Sequence, residues 1–212
     1  MTRFWPLLGL SALFAVLAFA CKGDGGTPRS ETPASSPALA PTPKTYSERP
    51  EVTISADRKY SAVVETTKGK FTIELRPDIA VETVNSFIFL AREGFYNGVT
   101  FHRVLPGFVA QGGDPTGTGS GSPGYTLPAE FGEVPFERGT VGLARADDPN
   151  SGGSQFFIAY DALPNLNGLY TVFGKVVEGM EVVDSLTPRD PENVATPQPE
   201  GDKIIGIQIV EG

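Results

Sequence analysis

Three side chains with complementary chemistry lie close together in this sequence: the guanidinium of Arg103, the ring of Phe108 and the amide of Gln111. Between them stands Pro106-Gly107, a turn dipeptide in which Pro fixes φ and Gly permits a positive φ. The turn predicts two short extended segments, 101–104 and 108–111, that meet at a tight corner. A fixed cation, an apolar ring and a hydrogen-bonding amide at one corner favour a groove that binds peptide.

The single histidine of the chain, His102, stands directly before Arg103. Side chains alternate between the two faces of an extended segment, so we expect Phe101 and Arg103 to share a face that His102 does not. This placement predicts that His102 is a hydrogen-bonded structural residue rather than a catalytic base.

Two further blocks follow the first in order along the chain. The second runs from Gly142-Leu143-Ala144-Arg145 through Asn150-Ser151-Gly152-Gly153-Ser154-Gln155-Phe156-Phe157-Ile158, and the third is Leu166–Val176. Together with Phe101–Pro115, these blocks resemble the signature segments of the cyclophilin-type peptidyl-prolyl cis-trans isomerases. The resemblance covers roughly Lys59 to Gly212.

The resemblance implies a role for each matched residue. It places catalysis on Arg103, Phe108, Gln111, Phe157, Leu166 and Tyr170, and substrate binding on Val109, Ala144, Arg145, Gln155 and Asn165. In this assignment an apolar slot receives the proline ring, the two glutamines bond the substrate backbone, and the main chain of residues 144 and 145 pairs with the peptide. From composition alone, Phe108, Phe157 and Leu166 would be assigned to the core instead.

Two matched positions depart from the best-known eukaryotic members. Tyr170 replaces a histidine, which keeps an aromatic wall with a polar tip, so we expect catalysis to survive. Asn165 replaces a tryptophan that helps to bind cyclosporin, so we expect weak cyclosporin binding.

The implied reaction needs no nucleophile, no metal and no cofactor. Rotation about an X–Pro bond is slow because amide resonance must be broken, at a barrier of ~18–20 kcal/mol. A cation that is always charged, such as Arg103, can stabilise the twisted amide. We therefore predict a prolyl isomerase that assists the folding of exported proteins. The alternatives are a catalytically weak module that holds a proline-containing segment of a partner, and a holdase that protects unfolded chains.

Composition excludes several other classes of function. The net charge of −8 and a pI near 4.7 argue against binding to nucleic acid. One histidine and one cysteine cannot form a transition-metal site. The glycine-rich run 117–124 opens no helix, so it predicts a mobile loop at the rim of the groove rather than a nucleotide site.

The first 57 residues lie outside the resemblance. Residues 1–20 have the form of a signal peptide, with Arg3 followed by an apolar run. Cys21, the only cysteine, follows directly, which predicts a lipid-attachment site; simple cleavage after Ala20 and an uncleaved anchor are the alternatives. Residues 21–57, rich in Pro, Ser and Thr, predict a disordered tether. We thus expect a monomer in the cell envelope, outside the cytoplasm and anchored to the membrane by lipid.

Residues 58–212 predict a mainly β domain. Alternation on both sides of Lys68-Gly69 predicts a hairpin of 61–67 and 70–76, and 205–209 returns to alternation. Apolar residues at helical spacing predict one helix through Val84–Ala91 that ends at Gly94, and a shorter one across Glu178–Leu186. Residues 187–202 predict a surface loop. Many short strands with two helices, together with the resemblance, predict a closed eight-stranded antiparallel β-barrel capped by two α-helices.

Overall fold

The computed structural model describes residues 44–193 and 195–212, and these form a mainly β domain with two α-helices. The strands are β1 (Tyr60–Thr66), β2 (Gly69–Leu75), β3 (Arg103–Leu105), β4 (Val109–Gly112), β5 (Thr140–Leu143), β6 (Phe156–Ala159), β7 (Val172–Glu178) and β8 (Ile204–Glu211). The helices are α1 (Val81–Arg92) and α2 (Met180–Asp184), and Pro149–Ser151 and Pro164–Leu166 form short 3₁₀ turns. The mainly β class is confirmed.

The eight strands form one antiparallel sheet in the order β3-β4-β6-β5-β7-β2-β1-β8. The prediction of a closed barrel is not met, because the edge strands β3 and β8 do not pair and the sheet is a half-barrel. The free edge of the three-residue β3 pairs with a loop instead of a strand. Val104 and Arg189 exchange two backbone hydrogen bonds, at 2.7 and 2.9 Å. The 187–202 loop thus covers an edge that a closed barrel would give to a strand.

The β1–β2 hairpin follows the predicted alternation. Phe71, Ile73 and Leu75 are buried, whereas the intervening residues of β2 are more exposed, so one face of this strand lies on the core. By contrast, β5 and β6 are buried at every position. Alternate residues of β6 pack into two different hydrophobic clusters, with Phe156 and Ile158 in one and Phe157 and Ala159 in the other, so both faces of this strand are covered.

Helix α1 packs its apolar stripe into the main hydrophobic core. The predicted stripe of Val84, Phe87, Ile88 and Ala91 is buried throughout. The residue before the helix, Ala80, offers no side-chain cap. Glu130 takes this role from a distant loop: its carboxylate accepts the backbone N–H groups of residues 82 and 83 at 3.0 and 2.9 Å.

Helix α2 is shorter than the predicted 178–186. It begins after Gly179, whose φ of 78° lies in the left-handed region and interrupts the helical path. The predicted spacing still describes packing, since Val183 and Leu186 are buried and Met180 lies against the core.

Residues 44–57 lie against the domain, although sequence analysis placed them in the tether. The side chain of Asn85 in α1 accepts a hydrogen bond from Thr53 N and donates one to Glu51 O, both at 3.0 Å. Tyr46 and Ile54 pack on the core. The predicted signal peptide, Cys21 and the first part of the predicted tether lie outside the described residues. Within the described ranges, no helix is long and apolar enough to cross a membrane.

Candidate active site

The predicted corner between two extended segments exists as the β3–β4 hairpin. Its turn is closed by the hydrogen bond from Phe108 N to Leu105 O at 2.9 Å, and Gly107 takes a φ of 77°. Arg103 and Gln111 are directly opposite each other in the register of the two strands. Cross-strand partners point to the same face, so local sequence suffices to bring the guanidinium and the amide together.

The guanidinium of Arg103 lies over the ring of Phe108, with its central carbon 5.4 Å from the ring centroid. It forms no salt bridge with any residue in the described ranges, and its buried Nε has no hydrogen-bond partner there. The guanidinium thus has no acceptor of its own within the described ranges, and its place in the wall of the first cavity leaves it open to an acceptor supplied by a ligand.

Aromatic packing holds the apolar wall of the site. The ring of Phe157 stacks on Phe136 at 5.3 Å and meets Tyr170 edge-on at 5.5 Å. Gly142 makes this packing possible, because a Cβ at that position would lie 2.5 Å from the Phe157 ring. Phe157 is 4% exposed, whereas Phe108, Leu166 and Tyr170 are half-buried and present apolar surface.

A chain of amide hydrogen bonds forms the polar wall. Gln111 Nε2 donates to Gln155 Oε1 at 3.0 Å. Gln155 Nε2 in turn donates to the carbonyl oxygens of Gly119 and Gly121, both at 2.9 Å. The chain orients both glutamine side chains and ties them to the glycine-rich loop.

The Arg145 side chain contacts both the backbone near the site and the ring of Tyr170. Its guanidinium donates to the carbonyl oxygens of Leu169, Ala146 and Asp147, and its central carbon lies 4.7 Å from the centroid of the Tyr170 ring. The backbone N–H of Ala144, which sequence analysis offered to the peptide, is already donated to Gln155 O at 2.9 Å.

These walls enclose a first cavity of about 460 Å³. Nine of the predicted site residues line it: Arg103, Phe108, Val109, Gln111, Ala144, Arg145, Phe157, Leu166 and Tyr170. Gln155 instead lines a second cavity of about 410 Å³, which shares the walls at Gln111, Gly119, Ser120, Ala144 and Arg145. Asn165 is exposed and lines neither cavity.

The structure adds wall residues that sequence analysis did not assign: Thr118, Gly119 and Ser120 of the glycine-rich loop, and Pro191 and Glu192 of the 187–202 loop. The first set lies within residues 117–124, which sequence analysis predicted to form a loop at the rim of the groove. The second set reaches the cavity through the pairing of Arg189 with Val104, a long-range contact that leaves no local signal.

Asp114 anchors the glycine-rich loop from within. It is fully buried, and its carboxylate accepts hydrogen bonds from the backbone and the hydroxyl of Thr116 and from Gly119 N. Burial alone would raise its pKa, but the hydrogen bonds from Thr116, Gly121 and Gly119 together lower it. Gly121 is required here, because a Cβ on it would collide with the Asp114 carboxylate.

His102 contributes to the same cavity wall as Arg103, contrary to the expected separation of faces. It lies just before β3 begins, so strand alternation does not apply to it. The side chain is 2% exposed, as a structural residue would be, but its Nδ1 has no hydrogen-bond partner within the described ranges. Burial lowers its pKa, with Arg189 and Arg103 acting in the same direction and Asp114 opposing them.

The described part of the chain contains no group of three or more His, Cys, Asp or Glu side chains that could hold a metal ion. The first cavity offers cationic side chains, an amide and aromatic surface.

Comparison with known proteins agrees with this chemistry. Residues 61–209 match the family model "Cyclophilin type peptidyl-prolyl cis-trans isomerase/CLD". A "Probable peptidyl-prolyl cis-trans isomerase" of Brucella suis is 48% identical over 168 residues, which cover 73% of this chain and 85% of the relative. "Peptidyl-prolyl cis-trans isomerase B" of Bacillus subtilis is 50% identical over 124 residues, 58% of this chain and 86% of the relative.

Solved structures give the same result. A cyclophilin-type isomerase of Cryptosporidium parvum superposes with a TM-score of 0.65 at 33% identity, covering 72% of this chain and 98% of the other. A further crystal structure of that protein, in the presence of the dipeptide Ala-Pro, superposes with a TM-score of 0.64. This chain belongs to the cyclophilin-type peptidyl-prolyl cis-trans isomerase family.

Proposed function

We propose that this peptidyl-prolyl cis-trans isomerase catalyses X–Pro rotation in the first cavity, with Arg103 as the catalytic cation. The observation that carries the assignment is the state of this guanidinium: it lies over an aromatic ring in a cavity wall, has no ion-pair partner in the described ranges, and keeps a buried donor unused. A cation held in this way is free to bond a substrate atom.

The chemistry follows from differential binding. As the X–Pro bond twists, the proline nitrogen becomes pyramidal and gains lone-pair character, so a donor aimed at it stabilises the twisted state more than either planar isomer. Lowering the barrier by ~6–7 kcal/mol accelerates rotation by about 10⁵-fold. Oriented donors in a water-poor groove supply several of these kcal/mol.

The other walls position the substrate. Phe108, Phe157 and Leu166 form the apolar slot for the proline ring, and Tyr170 closes its end. The ordered pair Gln111 and Gln155 offers amide groups to the peptide backbone. Support for a proline-containing substrate comes from the Cryptosporidium parvum structure determined in the presence of Ala-Pro.

The biological setting extends this proposal. The form of residues 1–20 and the position of Cys21 support an exported protein that is anchored to the membrane by lipid and acts on proteins folding in the cell envelope. In this setting the substrates are unfolded or partly folded chains with exposed X–Pro bonds, and the isomerase acts as a monomer.

Arg103→Ala tests the catalytic assignment. We expect kcat/KM for an Ala-Pro peptide to fall by about 10²- to 10³-fold, because the side chain supplies the only cation aimed at the reacting bond in this proposal. Arg103→Lys retains the charge without the planar fork and should recover part of the loss. Exchange NMR of the peptide measures the rate without a coupling protease.

Arg76→Ala is the matched control, since Arg76 is also partly exposed but pairs with Asp78 outside both cavities. Its activity should stay near that of the parent. Near-parental activity in folded Arg103→Ala would overturn the assignment. A parent protein that binds the peptide without accelerating its exchange would instead favour the module that only holds proline-containing segments.

A further inference from the structure

Residues 44–57, here called the strap, contact the domain at several places, and two of these attachments hold separate parts of the strap. At one end, Tyr46 lies beside the Pro123-Gly124-Tyr125 segment. Further along, Glu51 and Thr53 are bound by the side chain of Asn85 in α1. The two attachments differ in what they touch, because only the first adjoins the loop that forms the rim of the groove.

Tyr46 is fixed by both its ring and its backbone. The ring lies 5.1 Å from Phe89, edge-on, and 6.4 Å from each of Phe95 and Tyr125. Its backbone N–H donates to Pro123 O at 2.8 Å. The hydroxyl is buried and has no hydrogen-bond partner in the described ranges, so the ring rather than the oxygen makes the attachment.

The two backbones approach so closely that only glycine fits between them. Gly124 has a φ of 100°, and a Cβ on it would lie 2.3 Å from Tyr46 O. The adjoining Pro123 packs against Gly153, where a Cβ would lie 2.9 Å from the proline Cδ. Gly153 itself lines the second cavity, so the strap supports that cavity's wall through one intervening residue.

The supported segment continues directly into the polar wall. Gly121 and Ser122 line the second cavity and immediately precede Pro123. The Gly121 carbonyl accepts from Gln155, which accepts from Gln111, the cross-strand neighbour of Arg103. A displacement at Pro123 would therefore alter the rim where a peptide leaves the proline-binding cavity.

We infer that Tyr46 is a positioning residue of the isomerase: by holding Pro123-Gly124, it sets the rim of the second cavity and so the binding of substrate residues beyond the X–Pro pair. The inference rests on the proposed function, since the first cavity must take the proline. It assigns the strap a part in recognition of extended peptides rather than in bond rotation itself.

The test compares two substrates in the full chain. One is a blocked Ala-Pro dipeptide, and the other is a hexapeptide with the same Ala-Pro bond and additional residues on the amino side. Tyr46→Ala should lower the ratio of kcat/KM for hexapeptide to dipeptide by about threefold or more, through KM rather than kcat, because a loosened rim must be ordered on binding. Exchange NMR measures both substrates.

Two variants separate positioning from stability. Tyr46→Phe should retain the parental ratio, because the hydroxyl has no hydrogen-bond partner among residues 44–193 and 195–212. Asn85→Ala removes the hydrogen bonds to Glu51 and Thr53 and should lower the thermal midpoint while leaving the ratio unchanged. If Tyr46→Ala does not fold, Tyr46→Leu, which keeps apolar volume, is measured in its place.

A parental ratio in the folded Tyr46 variant would overturn the inference, as would an equal loss in Asn85→Ala. Failure of the proposed function gives a different result, because the parent enzyme would then accelerate neither peptide.

Discussion

His102 and Arg103 are adjacent residues in the same cavity wall. Of the two side chains, only that of histidine has an ordinary pKa near neutrality. Burial lowers the pKa of His102, and the positive charges of Arg189 and Arg103 lower it further against the pull of Asp114. A lowered pKa favours the neutral form of the ring, whereas the guanidinium beside it is always charged. Of these two neighbours, only Arg103 therefore presents a permanent charge to the cavity.

The lowered pKa of His102 predicts how stability depends on pH. The folded value lies below the unfolded value of ~6.5, so the unfolded chain binds the proton more readily and stability falls as pH drops below about 6.5. The thermal midpoint should decline from pH 7 to pH 5, and less steeply in His102→Gln. Asp114 and Asp78, whose pKa values are lowered, lose their contributions only below about pH 4.

Activity should behave differently from stability over the same range. Between about pH 6 and 9 we expect kcat/KM to stay nearly constant, because the proposed rotation moves no proton and the lowered pKa of His102 favours its neutral form. A sigmoidal profile centred near 6.5 that disappears in folded His102→Gln would show that the histidine takes part in catalysis.

The loop between β4 and Tyr125 forms part of the walls of both cavities. Its glycines line both cavities, and the buried carboxylate of Asp114 draws Thr116 and Gly119 together beneath them. Charge-assisted hydrogen bonds of this kind contribute more than neutral ones. The rim is consequently held from inside by Asp114 and from outside by Tyr46 of the strap.

Asp114→Asn tests the inner anchor. Loss of the charge should cost about 2 kcal/mol, which for a domain of this size lowers the thermal midpoint by about 4–8 °C. It should also lower kcat/KM for an extended peptide by about threefold or more, because the rim loosens. Calorimetry and exchange NMR provide the two measurements.

Glu130→Gln is the control for this prediction. Glu130 accepts three hydrogen bonds, from Glu82 N and from the backbone and hydroxyl of Thr83, but it caps α1 and lines neither cavity. We expect a similar loss of stability with parental kcat/KM. If both variants lose activity to the same degree, Asp114 acts only through the stability of the domain.

At the scale of the whole molecule, the strap connects the catalytic domain to the predicted tether. The chain carries a net charge of −8 and a single cysteine, Cys21, placed directly after the apolar run. A lipid at Cys21 would leave the isomerase at the membrane surface with its strap at the domain end of the tether. Under the proposal that Cys21 carries a lipid, the anchor and the strap lie in one continuous stretch of chain.

Cys21→Ser tests the anchor. Expressed in a bacterial host, the parent should fractionate with membranes, whereas the variant should be released or accumulate as an uncleaved precursor, because serine offers no thiol for acylation. Mass spectrometry of the N-terminus identifies the attached group. Since Cys21 is the only cysteine, a thiol reagent that labels the mature parent would refute lipidation.

Local patterns by themselves determined the hairpins, the existence of the two helices and the pairing of Arg103 with Gln111. Alternation at Phe71, Ile73 and Leu75 marks a half-buried strand, and the Pro106-Gly107 turn places Arg103 opposite Gln111, because both depend on neighbouring residues alone. The roles of Phe157, Leu166 and Tyr170 came from family resemblance, since their residue types are equally suited to a core.

Tertiary structure alone decided where distant segments meet. The pairing of Arg189 with Val104 leaves the sheet open between β3 and β8 and brings Glu192 to the cavity, a contact across some 85 residues that no local pattern encodes. The packing of the strap against the domain could not be predicted from the sequence for a related reason. Its polar, proline-containing composition predicts disorder on average, whereas the placement of one ring, Tyr46, among Phe89, Phe95 and Tyr125 depends on the folded surface that receives it.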